Sequence, residues 1–264
     1  MKLNTAKEAF SEQSSEFDEI YSKNIITNYG RQRIRTLLDK FLDPNSEILE
    51  LNGGTGEDAI YLAKQGHTVH STDISDDMIG IMNTKIQKEN LSKQITTRQL
   101  DYHQLEQLDG HKYDLIYSNF GGLNCTKNLD QVLETMPSLL KTNGKICLVV
   151  MPSTSLWELL IALKGNFKLA FRRLKKNGTP SHITGKHFLS WYYSPSFIKN
   201  QLKESCKTLA IEALCVCVPP VYYERHISSR PGLFRFFKGC ENLLKAKRPF
   251  RSLGDYFIII LEKK

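Results

Sequence analysis

The chain has 264 residues, 41% of them apolar, which is enough for one sizeable hydrophobic core with insertions or for a core and a small second lobe. No stretch approaches the roughly 18 uninterrupted apolar residues of a membrane helix, and residues 1–5 lead into charged sequence rather than into the apolar segment of a signal peptide. The cysteines include no CxxC pair and no nearby histidine at zinc-finger spacing. We therefore expect a cytoplasmic, single-domain protein with reduced thiols and no metal centre.

The net charge of +8 is divided unevenly along the chain. Residues 1–150 contain 16 Lys and Arg against 21 Asp and Glu, a charge of −5, whereas residues 151–264 contain 20 against 7, a charge of +13. The basic half suggests an anionic partner, which could be a phosphorylated or carboxylated small molecule, a membrane surface or a nucleic acid. A solvated basic face is the alternative.

Two helices are predicted before the first strand. Residues 5–21 and 25–41 both have apolar residues at helical spacing, and Asp43-Pro44-Asn45-Ser46 is a turn that leads to the first strand. We expect residues 1–45 to form a helical cap.

A glycine-rich segment follows. Ile48 to Leu51 is predicted to be a strand, Asn52 to Gly56 a tight turn, and Glu57 to Gln65 a helix that Gly66 closes. A second strand ends at Asp73, 17 residues after Gly56. A strand, a glycine turn, a helix and a later acid are typical of a nucleotide-cofactor site, because the acid can accept hydrogen bonds from ribose hydroxyls.

Strands and helices keep alternating as far as residue 151. Ser75 is expected to cap a helix that runs to about Asn90, and the later predictions are strands at 94–100, 113–118 and 145–150 with a helix at 128–141. This alternation predicts an α/β fold with a doubly wound parallel sheet over 46–151. The turn at 52–56, Asp73, Asp101 and Asn119 all follow strands, so they should meet in one crevice at the carboxyl edge of the sheet.

These motifs resemble the motif series of class I S-adenosylmethionine-dependent methyltransferases. Within that family, the chain resembles a bacterial subgroup of the small-molecule type. The matching residues are Glu50-Leu51-Asn52-Gly53-Gly54-Thr55-Gly56, Asp73-Ile74-Ser75 with Met78, Leu100-Asp101 and Tyr113-Asp114-Leu115-Ile116. The resemblance implies a seven-stranded, mostly parallel sheet with S-adenosylmethionine as cofactor, and segments 208–218 and 255–261 are candidates for the last strands. It also implies one methyltransferase domain over 1–264, divided into the cap at 1–45, a cofactor-binding core at 46–151, a lid insertion at 152–206 and C-terminal strands at 207–264 with a second insertion at about 219–252.

The resemblance also implies the cofactor-binding residues. Glu50 lies near the methionine amino end, Asp73 binds the ribose, Asp101 accepts from the adenine amino group, and Arg31 either pairs with the cofactor carboxylate or is a surface residue. Asn52 departs from the usual glycine, but asparagine tolerates a left-handed backbone. The full set is Tyr21, Arg31, Glu50, Asn52, Gly53, Gly54, Gly56, Asp73, Ile74, Met78, Asp101, Tyr102 and Asn119.

A dinucleotide-binding dehydrogenase is the structural rival for this arrangement. Dehydrogenases need G-x-G-x-x-G so that a pyrophosphate can rest on the helix N-terminus. Here Glu57 and Asp58 occupy that first turn, and their carboxylates would repel a diphosphate. A positively charged sulfonium cofactor suits an acidic crevice better.

The acceptor is expected to bind between the two insertions. Residues 152–193 are apolar and aromatic first and basic afterwards, which predicts a lid of one or two helices over the crevice, and the second insertion adds tyrosines and a basic run. We expect an aromatic pocket with a basic rim, and no spacing singles out a general base, so no catalytic residue is assigned. The candidate substrate-binding residues are Asn124, Trp157, Tyr192 and Tyr222.

Three classes of function follow. The favoured one is a small-molecule methyltransferase whose acceptor is hydrophobic or aromatic, with or without an anionic group. The second is a lipid or membrane-surface methyltransferase, in which Trp157 to Phe171 lies on the bilayer and Arg172, Arg173, Lys175 and Lys176 meet headgroups; at about 1 kcal/mol each, these would give weak binding. The third is a nucleic-acid methyltransferase, which we do not expect because Ser118-Asn119-Phe120-Gly121 lacks the Asn/Asp-Pro-Pro-aromatic tetrad. The acceptor atom and the oligomeric state are left open.

Overall fold

A computed structural model describes residues 5–264, so the expectation about a signal peptide lies partly outside the described residues. The helices are α1 (Ala6–Ser22), α2 (Ile25–Leu38), α3 (Glu57–Lys64), α4 (Asp76–Lys88), α5 (Leu129–Thr135), α6 (Leu156–Ala162), α7 (Phe167–Ala170), α8 (Pro195–Leu202), α9 (Glu224–Ser228) and α10 (Pro231–Leu244). The strands are β1 (Glu47–Leu51), β2 (Thr68–Asp73), β3 (Ile95–Gln99), β4 (Tyr113–Ser118), β5 (Leu140–Val150), β6 (Thr179–Ile183), β7 (Lys186–Ser190), β8 (Cys206–Leu214) and β9 (Tyr256–Lys263).

Seven strands form one sheet in the order β3-β2-β1-β4-β5-β9-β8. The first five are parallel, and β9 pairs antiparallel with both β5 and β8. The predicted doubly wound, seven-stranded sheet of the class I methyltransferase type is therefore confirmed. Strand order reverses at β1, which pairs with β2 on one side and β4 on the other, and ligands of such sheets bind at this switch point.

Alternate strand residues face two separate hydrophobic cores, as the period of two in a strand requires. Leu49 and Leu51 of β1 face the side covered by α5 and α8, whereas Ile48 faces the side covered by α2, α3 and α4. Ile26 and Ile34 of α2 are fully buried in the second core. The expectation of a cap formed by residues 1–45 is therefore corrected for α2, which is a core helix.

The predicted strand at 208–218 is too long at its end. Cys215 has a left-handed backbone, with φ of +60°, and the chain leaves the sheet after Leu214. The backbone N–H groups of Cys215, Cys217 and Val218 instead donate to the fully buried carboxylate of Glu241, over 2.6, 2.8 and 3.0 Å. The alternating cysteines and valines at 215–218 therefore belong to a loop that surrounds the Glu241 carboxylate, and not to a strand.

Both insertions leave the sheet at the carboxyl edge. β5 ends there at Val150, and because β9 runs antiparallel, β8 also ends there at Leu214. Residues 152–193 of the first insertion contain two helices, α6 and α7, in agreement with the one or two expected, and also a two-stranded hairpin of β6 and β7 that was not predicted. Helix α8 completes this insertion. Within residues 5–264, no helix combines the length and the apolar character needed to cross a membrane.

Candidate functional site

A cavity of about 310 Å³ lies at the carboxyl ends of β1, β2 and β4. Its volume is within the range of small-molecule sites, roughly 300–1,000 Å³. Its lining includes most of the residues that the sequence nominated, namely Arg31, Glu50, Asn52, Gly53, Gly54, Asp73, Ile74, Met78, Asp101, Tyr102 and Asn119. The four loops that were expected to converge at this edge do so.

The glycine turn fits tightly under the cavity. A side chain on Gly53 would meet the Ser71 hydroxyl at 2.1 Å and the Glu50 carboxylate at 2.7 Å. Gly54 has a left-handed φ of +56°, and a side chain there would enter open space at the cavity wall. The turn therefore brings bare backbone to the cavity.

The backbone conformation and the side-chain hydrogen bonds of Asn52 explain why asparagine can replace the usual glycine here. Its φ is +49°, as the left-handed turn requires. Its side chain accepts from the Ser118 hydroxyl at 2.6 Å and donates to the Asn119 carbonyl at 3.1 Å. Asn52 thus joins the turn after β1 to the end of β4, on both sides of the switch point.

Two buried carboxylates stand at the cavity floor. Glu50 is 2% exposed, and burial together with the charge of Asp58 raises its pKa to about 8. Asp73 accepts from the backbone N–H groups of Gly54 and Ser75, each at 2.9 Å, and its pKa is also raised by burial. Each Asp73 oxygen keeps a second lone pair, so the carboxylate can still accept ribose hydroxyls.

Asp58, which the sequence did not nominate, organises the neighbouring wall. It accepts from Asn119 Nδ2 at 2.6 Å and from Arg35 Nη2 at 2.9 Å, while Arg31 Nε lies 3.5 Å away. The buried Nε of Arg31 has no hydrogen-bond partner among the described residues, and the guanidinium lies 5.5 Å from the centre of the Phe120 ring. Arg31 is therefore a cavity residue, and the surface alternative is wrong.

The electrostatic argument against a diphosphate is weaker than the sequence suggested. Asp58 is paired with two arginines, and Glu57 is paired with Lys85 at 2.5 Å, so neither carboxylate in the first turn of α3 is free. The geometric argument still holds, because the turn lacks the third glycine of the dinucleotide motif.

Helix α1 covers the cavity with Ala6, Phe10 and Phe17. Asp18 fixes it to the glycine turn by accepting from the Thr55 hydroxyl at 2.6 Å, and Lys85 donates to the same carboxylate at 2.9 Å. The sequence predicted α1 and its apolar face but did not nominate these residues for the site. Their spacing of seven residues, from Phe10 to Phe17, was the available signal.

The opposite wall combines loops after β3 and β4. His103 Nε2 lies 2.9 Å from the Thr126 hydroxyl, and both residues line the cavity beside Tyr102 and the buried thiol of Cys125. Burial raises the pKa of Tyr102 and sets the pKa of Cys125 at about 12, so both are neutral near pH 7. Of these four residues only Tyr102 was nominated. Cys125 and Thr126 lie more than twenty residues after it, and no spacing singled out His103.

Two nominated cofactor residues do not line this cavity. Gly56 has a φ of +83° and packs against Met82, where a side chain would approach to 2.5 Å, so it serves helix packing. Tyr21 lies near the end of α1 and packs on Phe17, with ring centres 4.7 Å apart.

The nominated substrate residues also lie elsewhere. Asn124 is fully buried and its amide bonds to the backbone of Met151 and Trp191. Trp157 packs on Tyr223 and Phe237, Tyr192 stacks with Arg173, and Tyr222 is 62% exposed. The expected aromatic lid over the crevice is therefore corrected, because α1 rather than α6 covers the cavity.

The basic rim is corrected as well. Arg172 forms two hydrogen bonds with Glu158, at 2.7 and 3.2 Å. Arg173 is 5% exposed and binds Glu158 at 2.8 Å and Asp255 at 2.5 Å. Arg173 is therefore inaccessible to a headgroup or a substrate, whereas Arg172 is paired with Glu158 but its side chain is 33% exposed.

No three His, Cys, Asp or Glu side chains among residues 5–264 are grouped so that they could hold a metal ion. The cysteines are unpaired thiols, and burial raises the pKa of Cys147 and Cys215.

Comparison with known proteins agrees with the fold. Residues 48–144 match the family model of a methyltransferase domain. The chain is 30% identical over 166 residues to demethylmenaquinone methyltransferase of Lactobacillus johnsonii, a match that covers 59% of this chain and 65% of that relative. The matched region thus spans less than two thirds of the relative's length.

Solved structures resemble the whole chain in fold. Magnesium protoporphyrin IX methyltransferase of Synechocystis, with bound SAH, has a TM-score of 0.60 and 15% identity, over 98% of this chain and 97% of that one. The 1,6-didemethyltoxoflavin-N1-methyltransferase of Burkholderia thailandensis has a TM-score of 0.57 and 13% identity, over 98% and 87%. At such identities the likeness concerns the fold alone.

Proposed function

Because this chain contains a class I S-adenosylmethionine-dependent methyltransferase domain, we propose that it transfers a methyl group from S-adenosylmethionine to a small hydrophobic acceptor. The observation that carries the proposal is the presence of Glu50, Asp73 and Arg31 in one covered cavity at the switch point of the sheet. These are two buried carboxyl groups and one guanidinium group, in a cavity that helix α1 covers.

The cavity residues fit the cofactor chemically. Glu50 would hold the ammonium end of the methionine part, since a nearby cation favours the charged form of a carboxyl whose pKa is raised to about 8. Arg31 Nε lies 3.5 Å from Asp58 without a hydrogen bond and would donate to the carboxylate of the same part. Asp73 would accept the ribose hydroxyls, Ile74 and Met78 would flank the adenine, and the open space beside Gly54 would admit the cofactor.

When bound, S-adenosylmethionine supplies an electrophilic methyl group on a sulfonium. The protein's part is to align an acceptor with that methyl group and to exclude water. Helix α1 excludes water by covering the cavity, and Asp18 holds it there through Thr55. Asn52 and Asp58 position the β4 loop, which carries Asn119 into the cavity.

A neutral hydrophobic acceptor is favoured over an anionic one. Phe10, Phe17 and Phe120 provide apolar walls. Arg31 faces Asp58, and Lys7 pairs with Asp76 at 3.0 Å, so the arginine and the lysine of the described lining already face carboxylates. An acceptor carboxylate would have to compete for them.

Titration calorimetry with S-adenosylmethionine tests the proposal. Asp73→Ala should weaken binding more than about tenfold, which is about 1.4 kcal/mol. Asp77→Ala is the matched control, since Asp77 is exposed in the first turn of α4 and does not line the cavity, and it should bind like the wild type. Equal affinity of the Asp73 variant and the wild type would overturn the assignment of the site.

Turnover is tested separately. The protein is incubated with isotope-labelled S-adenosylmethionine and a panel of hydrophobic phenols, quinols and amines, and methylated products are identified by mass spectrometry. A protein that binds the cofactor but methylates no member of the panel would contradict the proposed acceptor class.

A further inference from the structure

Exposed large apolar side chains are concentrated in two segments, the α6–α7 segment (residues 156–176) and helix α10. Leu163 is 83% exposed, Phe167 62%, Phe236 63% and Leu243 68%. Contiguous exposed apolar surface in a folded protein marks an interaction site. The exposed members are Leu160, Leu163, Phe167, Phe171 and Leu174 in the first segment and Leu233, Phe236 and Leu243 in the second.

The two segments are neighbours. The Trp157 ring in α6 lies 6.1 Å from the Phe237 ring of α10 and 5.7 Å from the Tyr223 ring, measured between centres. On α10, Leu233, Phe236 and Leu243 recur at spacings of three and seven residues and so share one side of the helix. We call these two segments together the apolar-basic surface.

No acidic side chain is exposed on the apolar-basic surface. Its only acids are Glu158, which is 3% exposed and bound by Arg172 and Arg173, and Glu241, which is fully buried under three backbone N–H groups. Lys164, Lys168, Lys175 and Lys176 are exposed and form no ion pair within the described part of the chain. The surface therefore combines apolar groups with uncompensated positive charge.

We propose that the apolar-basic surface docks on an anionic lipid bilayer. Apolar side chains on a cationic face are the combination that inserts at the boundary between headgroups and acyl chains while lysines attract anionic lipids. A second copy of the chain would bring like charges together, and exposed leucines offer little to a phosphate backbone, so charge and apolarity together favour the bilayer. Of the four basic residues expected to meet headgroups, Arg173 is buried and Arg172 is paired with Glu158, so the exposed lysines and apolar side chains carry the contact.

Docking through this surface would place the carboxyl edge of the sheet, which carries the cavity, close to the bilayer. Both insertions leave β5 and β8 at the carboxyl edge, which also carries the cavity. A hydrophobic acceptor dissolved in the membrane would thus be close to the cavity. This consequence for the acceptor rests on the proposed function, whereas docking itself does not.

The test is co-sedimentation of the purified full chain with vesicles of phosphatidylcholine alone or mixed with phosphatidylglycerol. The wild type should bind the mixed vesicles, and Leu163→Ser/Phe167→Ser should lower the bound fraction at least about tenfold. Ile20→Ser is the control, because Ile20 is 43% exposed on α1, outside the surface. Lys164→Gln/Lys168→Gln should weaken binding to mixed vesicles more than Lys93→Gln/Lys199→Gln, whose lysines lie on other faces.

Failure to bind mixed vesicles, or equal binding by the Leu163/Phe167 variant and the Ile20 variant, would overturn the proposal. So would a stable dimer in sedimentation velocity that the Leu163/Phe167 substitution dissociates, because the surface would then be a protein interface. Calorimetry with S-adenosylmethionine on the same samples reports on the proposed function independently, since no residue of this surface lines the cavity.

Discussion

The sheet core and the first insertion differ in whether their buried ionisable side chains have an oppositely charged partner. At the cavity, the carboxyl groups of Glu50 and Asp73 are buried with hydroxyl and backbone donors, and no cation among residues 5–264 forms an ion pair with them. In the insertion, Arg173 is equally buried but is satisfied by Glu158 and Asp255. A buried carboxyl group without a counter-charge is available to a cationic ligand, whereas removal of one partner from a buried ion pair leaves an uncompensated charge and destabilises the fold.

The largest effect expected from this contrast is on stability. Arg173→Met should lower the free energy of unfolding by about 3 kcal/mol or more, because it leaves the buried Glu158 with Arg172 as its remaining partner and removes the cation that pairs with Asp255. Chemical denaturation measures the change, and Lys176→Met, at an exposed position, should be neutral. A loss below about 1 kcal/mol would show that the pair is not structural.

The cavity carboxylate should respond to pH in a defined direction. The folded-state pKa of Glu50, about 8, lies above its ordinary value of 4.5. Its stabilising contribution is therefore complete below pH 4.5 and is lost as pH rises towards 8. A cationic ligand favours the carboxylate, so affinity for S-adenosylmethionine should rise with pH up to about 8, and binding at pH 7 should release a proton.

Calorimetry in buffers of different ionisation enthalpy measures that proton. Glu50→Gln should remove the proton release, weaken cofactor binding at least about tenfold and flatten the stability profile above pH 5. Proton release that persists in this variant would assign the titration to another group.

A smaller effect is expected at the joint between β1 and β4. Asn52→Ala removes the hydrogen bonds to Ser118 and Asn119 and puts a residue less suited to φ of +49° in the turn. We expect a loss of about 1–2 kcal/mol in thermal or chemical unfolding. Asn52→Gly, which keeps the backbone freedom and loses only the side chain, should cost less, and a larger loss for glycine than for alanine would contradict this account.

The smallest effect concerns the cover. Asp18→Ala releases α1 from Thr55 and Lys85, and since Asp18 and Lys85 are partly exposed, the expected loss of stability is about 0.5–1 kcal/mol. Hydrogen exchange should be faster in α1 and unchanged in β1 and β4. Equal protection of α1 in both proteins would show that Asp18 does not hold the cover.

The sequence predicted correctly those features that depend on residues close together along the chain. The strands and helices of the core, the Ser75 cap and the left-handed turn at Asn52 follow from periodicity and turn chemistry. The parts that were wrong depend on distant partners. Arg173 meets Asp255 82 positions later, and Asn124 reaches Trp191 67 positions later, so both looked available in the sequence. The cover was misplaced for the same reason, because nothing in α6 shows that Trp157 faces α10.

The antiparallel course of β9 separates the cavity residues from the two insertions. Because β5 and β8 both deliver the chain to the same edge, each insertion begins beside the cavity, and neither contributes a strand to the seven-stranded sheet. The second insertion also ends at this edge, where β9 begins, whereas the first ends at the opposite edge, where β8 begins. Recombination could replace either segment with one of another length while leaving Glu50, Asp73 and the glycine turn untouched. Acceptor preference and the proposed membrane docking can therefore change while the residues of the cavity at the switch point stay the same.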